Sequence, residues 1–291
     1  MDAVALINYP GHFLSTLGTI KNFHEITHWR APWYIFVDDL GNQWEDWEDN
    51  YLDDLKNAVD KNFPDLNPTY VLFSDFKFPM IYDGWLRQQL VKLNLDQFLP
   101  GDIWYVTDGD VVCERLIGAN EIPFNYQNTH GSLINAQQKA YIKQMLGTDQ
   151  CLQINNEEVF THHIPVRWVT RDDLHNLNRH VSTVNKNGMN QLHFNLMREE
   201  RILGLGDTEQ HMSMTEWDLI ETWRILVDGQ APEYCYWLID DGVTASRTVN
   251  DPIWVKSFFG TDKDFDLEYF TSQGLTVTSK QWGKCQAISR G

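Results

Sequence analysis

Apolar residues in the first third of the chain form short unbroken runs, and these runs alternate with stretches of helical periodicity. The runs at residues 4–7, 33–37 and 70–73 are rich in β-branched and aromatic side chains and are bounded by turn residues. Such runs predict strands, and the strand at 33–37 is expected to be buried in a sheet. The stripes that predict the intervening helices are Phe13, Leu17 and Ile20; Trp44, Trp47, Tyr51, Leu55 and Ala58; and Leu86, Leu90 and Leu93. This alternation indicates β-α-β units, and therefore an α/β fold with a mainly parallel sheet and flanking helices.

A fourth apolar run, residues 103–106, leads into two carboxylates separated by one glycine, Asp108-Gly109-Asp110. Ligands of parallel sheets bind beyond the carboxyl ends of the strands. Alternate residues of an extended segment share a face, so both carboxylates can reach one hard cation, for which Mg²⁺ and Mn²⁺ are suitable. The plainer alternative is a solvated turn that ends the strand.

Two other predicted strands also end in acidic residues, at Asp38-Asp39 and at Asp75. The carboxyl ends of parallel strands meet at one edge of the sheet, so the three acidic strand ends predict an acidic pocket there. Carboxylates accept hydrogen bonds from ribose and sugar hydroxyls, and a metal ion links them to phosphate oxygens.

Composition and charge disfavour several classes of partner. The 291 residues include 41 acidic and 23 basic side chains, for a net charge of −18, which disfavours nucleic acids and anionic membrane surfaces. No apolar run is long enough for a transmembrane helix. The start, Met1-Asp2-Ala3, lacks the pattern of a secretory signal, and the four cysteines are widely scattered, so we expect a cytoplasmic protein with reduced thiols.

The second half of the chain carries further candidate residues. A helix is predicted around residues 137–146, and a strand-like run at 159–168 contains the adjacent histidines His162 and His163. Thr170 and Asp173 have the spacing of a capping box at a helix start. A second helix start follows, where Ser213 or Thr215 is the N-cap and Glu216 or Asp218 its partner.

Together these motifs resemble the GT-A glycosyltransferases, whose fold is Rossmann-like and whose D-x-D motif corresponds here to Asp108-Gly109-Asp110. Val37-Asp38-Asp39 is similar to the acidic strand end that holds the nucleotide, and residues 84–93 are similar to the helix before the motif in some members. The resemblance implies a GT-A domain over residues 1–230 and a C-terminal extension over 231–291, which we interpret as an acceptor-side lid.

The resemblance also implies a function: metal-dependent, inverting transfer of a sugar from a nucleoside-diphosphate sugar, with UDP-sugars favoured, to a carbohydrate or other hydroxyl acceptor. Mn²⁺ or Mg²⁺ would offset the ligand's charge in place of a lysine cluster. At least two of Arg87, Gln88 and Lys92 are expected to be exposed. The implied sites are the metal ligands Asp108, Asp110 and His163; the nucleotide-sugar residues Asp38, Asp39, Asp75, Arg87, Lys92 and Asp108; the catalytic residues Glu216 and Asp218, with Glu216 as general base; and the acceptor residues Trp217 and His162.

Two other function classes stay open. Asp108-Gly109-Asp110-Val111-Val112 also fits the D-x-D-x-[TV] pattern of haloacid-dehalogenase-type phosphatases, in which the first aspartate is the nucleophile. The twelve tryptophans, which can stack on sugar rings, are compatible with a non-catalytic carbohydrate-binding protein. Phosphatase activity without nucleotide dependence would select the first class, and sugar binding without metal or nucleotide would select the second.

Overall fold

The structure is a computed structural model, and its elements follow the predicted alternation of strand and helix. It describes residues 2–8, 12–26, 31–40, 51–77, 84–109, 111–113, 131–133, 136–154, 157–161, 166–201, 215–229, 237–240, 243–246, 255–257 and 274–276. The strands are β1 (Ala3–Asn8), β2 (Trp33–Val37), β3 (Thr69–Leu72), β4 (Ile103–Asp108), β5 (Val111–Cys113), β6 (Gly131–Leu133), β7 (Leu152–Ile154), β8 (Glu157–Thr161), β9 (Val166–Thr170), β10 (Trp237–Asp240), β11 (Val243–Ser246) and β12 (Val255–Ser257). The α-helices are α1 (Phe13–Ile26), α2 (Tyr51–Asn62), α3 (Gly84–Lys92), α4 (Ala136–Leu146), α5 (Arg171–Val184), α6 (Gly188–Arg201) and α7 (Glu216–Leu226).

The centre of the fold is a five-stranded sheet with the order β3-β2-β1-β4-β9. Strands β1 to β4 are parallel to one another, and β9 adds antiparallel to β4 at the edge. The α/β class and the mainly parallel sheet are therefore confirmed.

Alternate residues of β1 face two separate apolar layers, as the two-residue period of a strand requires. Ala3, Ala5 and Ile7 pack in a cluster with residues of α3, α4, α5, α6 and α7, whereas Val4 and Leu6 pack with residues of α1 and α2. The sheet thus lies between two helical layers, and ligands of such sheets bind beyond the carboxyl ends of the strands.

The predicted strand over residues 159–168 is in fact two strands. β8 is the central strand of a three-stranded antiparallel sheet, and β9 belongs to the edge of the main sheet. Helix α5 starts directly after β9 with the predicted capping box, in which the Thr170 hydroxyl accepts from the Asp173 amide at 3.0 Å and the Asp173 carboxylate accepts from the Thr170 amide at 2.9 Å. Thr170 therefore ends a strand and begins a helix.

The C-terminal extension contacts the first half of the chain at two described places. β12 pairs antiparallel with β5, which follows the D-G-D motif, and β10 and β11 complete that sheet. Leu275 is buried in the layer of α1 and α2, and the Asn62 side chain exchanges two hydrogen bonds with the Thr276 backbone, of 2.7 and 2.9 Å. The acceptor-side lid stays a prediction. A search of the described residues found no helix with the length and hydropathy of a membrane span.

Candidate active site at the carboxyl edge of the sheet

Three neighbouring strands bring polar side chains to one edge of the main sheet. β1 ends at Asn8 and β4 at Asp108, and Ile7 pairs with Asp108 in the register of these two strands. On the other side of β1, the Asp38 amide donates to the Asn8 carbonyl at 2.9 Å. The acidic ends of β2 and β4 therefore flank β1, as the parallel order predicts.

The carboxylate of Asp38 forms a buried ion pair with Arg87, which lies on α3. The guanidinium Nη2 is 2.6 Å from Asp38 Oδ2, and Nε is 3.0 Å from Oδ1. Both side chains are at most 5% exposed. A two-point contact of this kind fixes the guanidinium and the carboxylate in one plane. Asp38 and Arg87, two of the predicted nucleotide-sugar residues, therefore bind each other.

One lysine joins the predicted donor and acceptor sides of the site. Lys92 Nζ lies 2.8 Å from Asp108 Oδ1 and 2.9 Å from Glu216 Oε1. Lys92 and Glu216 are each 1% exposed, and the Asp108 side chain is 13% exposed. Burial alone would lower the pKa of Lys92, but the two carboxylates raise it above its ordinary value. Lys92 is therefore a buried ammonium shared by two carboxylates.

The start of α7 places Glu216 in this contact and gives Asp218 a different task. Thr215 is the N-cap: its hydroxyl accepts from the Asp218 amide at 3.3 Å, and the Asp218 carboxylate accepts from the Thr215 amide at 2.7 Å. Of the alternatives that the sequence left open, Thr215 and Asp218 form the capping box. Glu216 does not cap the helix. The Asp218 carboxylate stabilises the start of the helix, and its catalytic role stays a prediction.

Trp217 is packed inside the fold, although the sequence suggested a wall for the acceptor sugar. Its ring is 2% exposed and belongs to the apolar layer of α3 to α7. Lys92 Nζ lies 5.3 Å from the ring centroid, within the range of a cation–π contact. In this conformation the ring has no exposed face on which a sugar could stack.

The remaining predicted nucleotide-binding residues, Asp39 and Asp75, form hydrogen bonds at the ends of β2 and β3. Asp39 accepts hydrogen bonds from the backbone amide of Ser74, at 2.9 Å, and from its hydroxyl, at 2.5 Å. Asp75 is exposed and accepts from the Leu72 amide at 3.0 Å, closing the turn after β3. The Asp39 contacts connect the ends of β2 and β3, whereas the Asp75 contact stays within the turn after β3. They leave the proposed contact with a nucleoside a prediction for both residues.

The expected exposure of the α3 side chains is wrong. Arg87 and Lys92 are 3% and 1% exposed, and Gln88 is half-buried. Each buried cation faces carboxylates that lie far away in the sequence, so helical position alone could not reveal it. The acidic edge is therefore partly neutralised by the protein itself.

The predicted metal ligands are only partly described. Asp110, His162 and His163 lie outside the described residues, and within the described ranges no group of three or more metal-ligating side chains is found. Asp108 does lie at the described part of the motif, with a carboxylate that is slightly exposed at the strand end. Its hard oxygen donors fit Mg²⁺ or Mn²⁺ chemically.

Two buried polar networks were not predicted from the sequence. His193 on α6 contacts the Tyr141 hydroxyl through Nδ1 at 2.5 Å and the Gln89 carbonyl oxygen through Nε2 at 2.9 Å, and burial lowers its pKa to about 3. A second network joins Arg224 of α7 to Asp173 of α5. The apolar residues Met189, Leu192 and Met197 around His193 follow helical spacing and could have indicated α6.

Comparison with known proteins gives matches among solved structures alone. No family model and no curated protein matches the sequence. The structure of the galactosyltransferase LgtC with donor and acceptor sugar analogues is similar to 97% of this chain and 99% of its own, with 12% identity and a TM-score of 0.44. The structure of the bifunctional glycosyltransferase WbbM is similar to 68% of this chain and 37% of its own, with 11% identity and a TM-score of 0.39. The glycosyltransferase GlyE of Streptococcus pneumoniae TIGR4 is similar to 81% of this chain and 44% of its own, with 9% identity and a TM-score of 0.35. The chain spans less than half the length of the last two, and all three solved structures are glycosyltransferases.

Proposed function

We propose that this protein is a GT-A glycosyltransferase that moves a sugar from a nucleoside-diphosphate sugar to a hydroxyl group of its acceptor. The observation that carries the proposal is the ion-pair bridge from Asp108 through Lys92 to Glu216. It joins the residue expected at the donor phosphates to the residue expected at the acceptor. A solvated turn at the end of β4 would need no buried ammonium.

Donor binding is assigned to the carboxyl edge. Asp110, assisted by Asp108, would hold Mn²⁺ or Mg²⁺, and Asp38 or Asp39 would accept hydrogen bonds from the nucleoside. The cation, when bound, offsets the negative charge that develops on the leaving nucleoside diphosphate. UDP-sugars are the donors that we favour. Arg87 supports this site by holding Asp38 in a fixed plane.

Glu216 is the proposed general base of an inverting reaction. It would take the proton from the acceptor hydroxyl as the new glycosidic bond forms. Two positive charges lie beside its carboxylate: the Lys92 ammonium, and the positive end of the helix dipole at the first residue of α7. Because Asp218 forms the cap, Glu216 is not needed for that purpose.

The test is sugar transfer by Glu216→Gln, with Glu221→Gln as the matched control. Both glutamates are buried on α7, and both lie next to a basic side chain. For Glu216→Gln we expect kcat to fall by roughly 100-fold or more, the range of a general base, with sugar-nucleotide affinity nearly unchanged. Glu221→Gln should keep most of the activity.

The donor for this assay is identified first, by a thermal-shift panel of nucleoside diphosphates and sugar nucleotides with and without Mn²⁺. Near-normal transfer by Glu216→Gln, or a product with retained anomeric configuration by NMR, would remove Glu216 as the base. Hydrolysis of a generic phosphate ester without nucleotide would instead favour the phosphatase. Sugar binding that needs neither metal nor nucleotide would favour the binding protein.

A further inference from the structure

A chain of buried hydrogen bonds leads from α2 through β1 and α1 to the glycine of the D-G-D motif. The Tyr51 hydroxyl donates to Asn8 Oδ1 at 2.8 Å, and Asn8 Nδ2 donates to Thr16 Oγ1 at 2.8 Å. The Thr16 hydroxyl in turn points its donor at the Gly109 carbonyl, at 3.4 Å. Tyr51, Asn8 and Thr16 are each fully buried.

The contact between Thr16 and Gly109 is close enough to determine which residue fits there. A Cβ atom at position 109 would lie 2.5 Å from Thr16 Oγ1 and 3.0 Å from the Ile7 carbonyl oxygen. The φ angle of Gly109 is not positive, so the backbone conformation does not require glycine at this position. The close packing against Thr16 and Ile7 does. The Gly109 backbone therefore packs directly against Thr16 of α1.

Each polar side-chain atom in this series of hydrogen bonds has a defined role as donor or acceptor. Asn8 uses its carbonyl oxygen toward Tyr51 and its amide toward Thr16, so its orientation is set from both sides. Thr16 accepts from Asn8, so its own hydroxyl hydrogen is directed toward Gly109. Packing alone could be met by valine at position 16, but valine could not continue the hydrogen bonds.

We propose that Thr16 is a positioning residue that, supported by Asn8 and Tyr51, holds the Gly109 backbone, and with it the neighbouring Asp108 carboxylate, in the position that binds the divalent cation. This inference rests on the proposed function, because it assumes that the motif binds a metal ion. Outer residues that orient metal ligands typically contribute about 10-fold to 100-fold in metal affinity. Thr16 and Tyr51 need not touch the cation or the sugar nucleotide.

The test measures Mn²⁺ affinity rather than turnover. Mn²⁺ is titrated into protein saturated with UDP, and free Mn²⁺ is followed by its EPR signal. We expect Thr16→Val to weaken Mn²⁺ binding by about 10-fold and Thr16→Ser, which keeps the hydroxyl, to stay close to wild type. Thr19→Val is the matched control, because it changes another buried threonine on α1. Tyr51→Phe, which removes only the distal hydroxyl, should weaken binding to a smaller but measurable degree.

The outcomes separate the inference from the proposed function. If wild-type protein binds no Mn²⁺ in the presence of UDP, the proposed function fails. If wild type binds Mn²⁺ and both Thr16→Val and Tyr51→Phe bind it equally well, the positioning role is wrong. Should Thr16→Val fail to fold, Tyr51→Phe decides: wild-type affinity contradicts the role, and weaker binding supports it.

Discussion

Lys92 Nζ lies 2.9 Å from Oε1 of Glu216, and this buried ion pair joins α3 to α7 across 124 residues of sequence (216 − 92). The same ammonium contacts Asp108 at the end of β4. Three elements of the fold therefore meet at one charge, and the geometry of the candidate site depends on it.

Replacing Lys92 by methionine should be strongly destabilising. The change leaves Asp108 and Glu216 close together without their shared cation, and breaking a buried pair in this way costs about 3–5 kcal/mol. Urea denaturation at pH 7 measures the effect. Lys143→Met is the control, because Lys143 pairs with Asp149 at the exposed surface and its loss should go unnoticed. Equal stability of the two variants would show that the bridge is unimportant for folding.

His193 should make stability depend on pH in mildly acidic solution. In the folded protein its pKa is lowered to about 3 by burial, so it stays neutral while the histidine of the unfolded chain gains a proton below about pH 6.5. The stability that this neutral state contributes is present above pH 6.5 and is lost as the pH falls toward 3. The loss is up to about 1.4 kcal/mol for each pH unit.

His193→Gln isolates this effect. The stability difference between wild type and variant at pH 8 gives the packing cost of the change, since His193 is neutral there in both states. On going to pH 5 the difference should shift by about 2 kcal/mol in favour of the variant. A difference that does not change with pH would contradict the assignment of a buried neutral histidine.

Gly109→Ala should destabilise the protein by about 1–3 kcal/mol, the range for overpacking a tight contact. Its Cβ would meet Thr16 Oγ1 and the Ile7 carbonyl oxygen, and the backbone oxygen cannot move away easily. Gly84→Ala is the comparison, because its Cβ would meet looser contacts, 3.3 Å from Arg87 Nη2 and 3.4 Å from Asp38 Oδ2. Thermal unfolding of both variants is the measurement, and a Gly109→Ala protein as stable as Gly84→Ala would contradict the close packing.

Much of the fold could be predicted because burial leaves a local trace in the sequence. The unbroken apolar runs correctly predicted β1, β2 and β4, since strands covered by helices on both faces have no polar side to show. The capping boxes at Thr170 and Thr215 are also local, because their partners lie three residues away. The acidic strand ends were predicted to meet at one edge, and parallel order alone brings Asp38 and Asp108 there.

The candidate site was harder to predict because its contacts are long-range. Arg87 and Lys92 look like ordinary solvated helix residues until Asp38, Asp108 and Glu216 are placed around them. The sequence pattern of a helix shows which of its faces is apolar, but it does not show which charged residues of other elements lie against that helix. His193 was missed for a related reason: its partners Tyr141 and Gln89 are distant in the chain.

We propose that this acidic site binds a nucleoside diphosphate together with a divalent cation. Isothermal titration calorimetry of UDP, in Mn²⁺ and in EDTA, measures this linkage. We predict binding at least about tenfold tighter in Mn²⁺, which corresponds to about 1.4 kcal/mol. Asp110→Ala should remove this gain while leaving the stability of the metal-free protein nearly unchanged. Equal affinity for UDP in Mn²⁺ and in EDTA would contradict a metal-dependent nucleotide site.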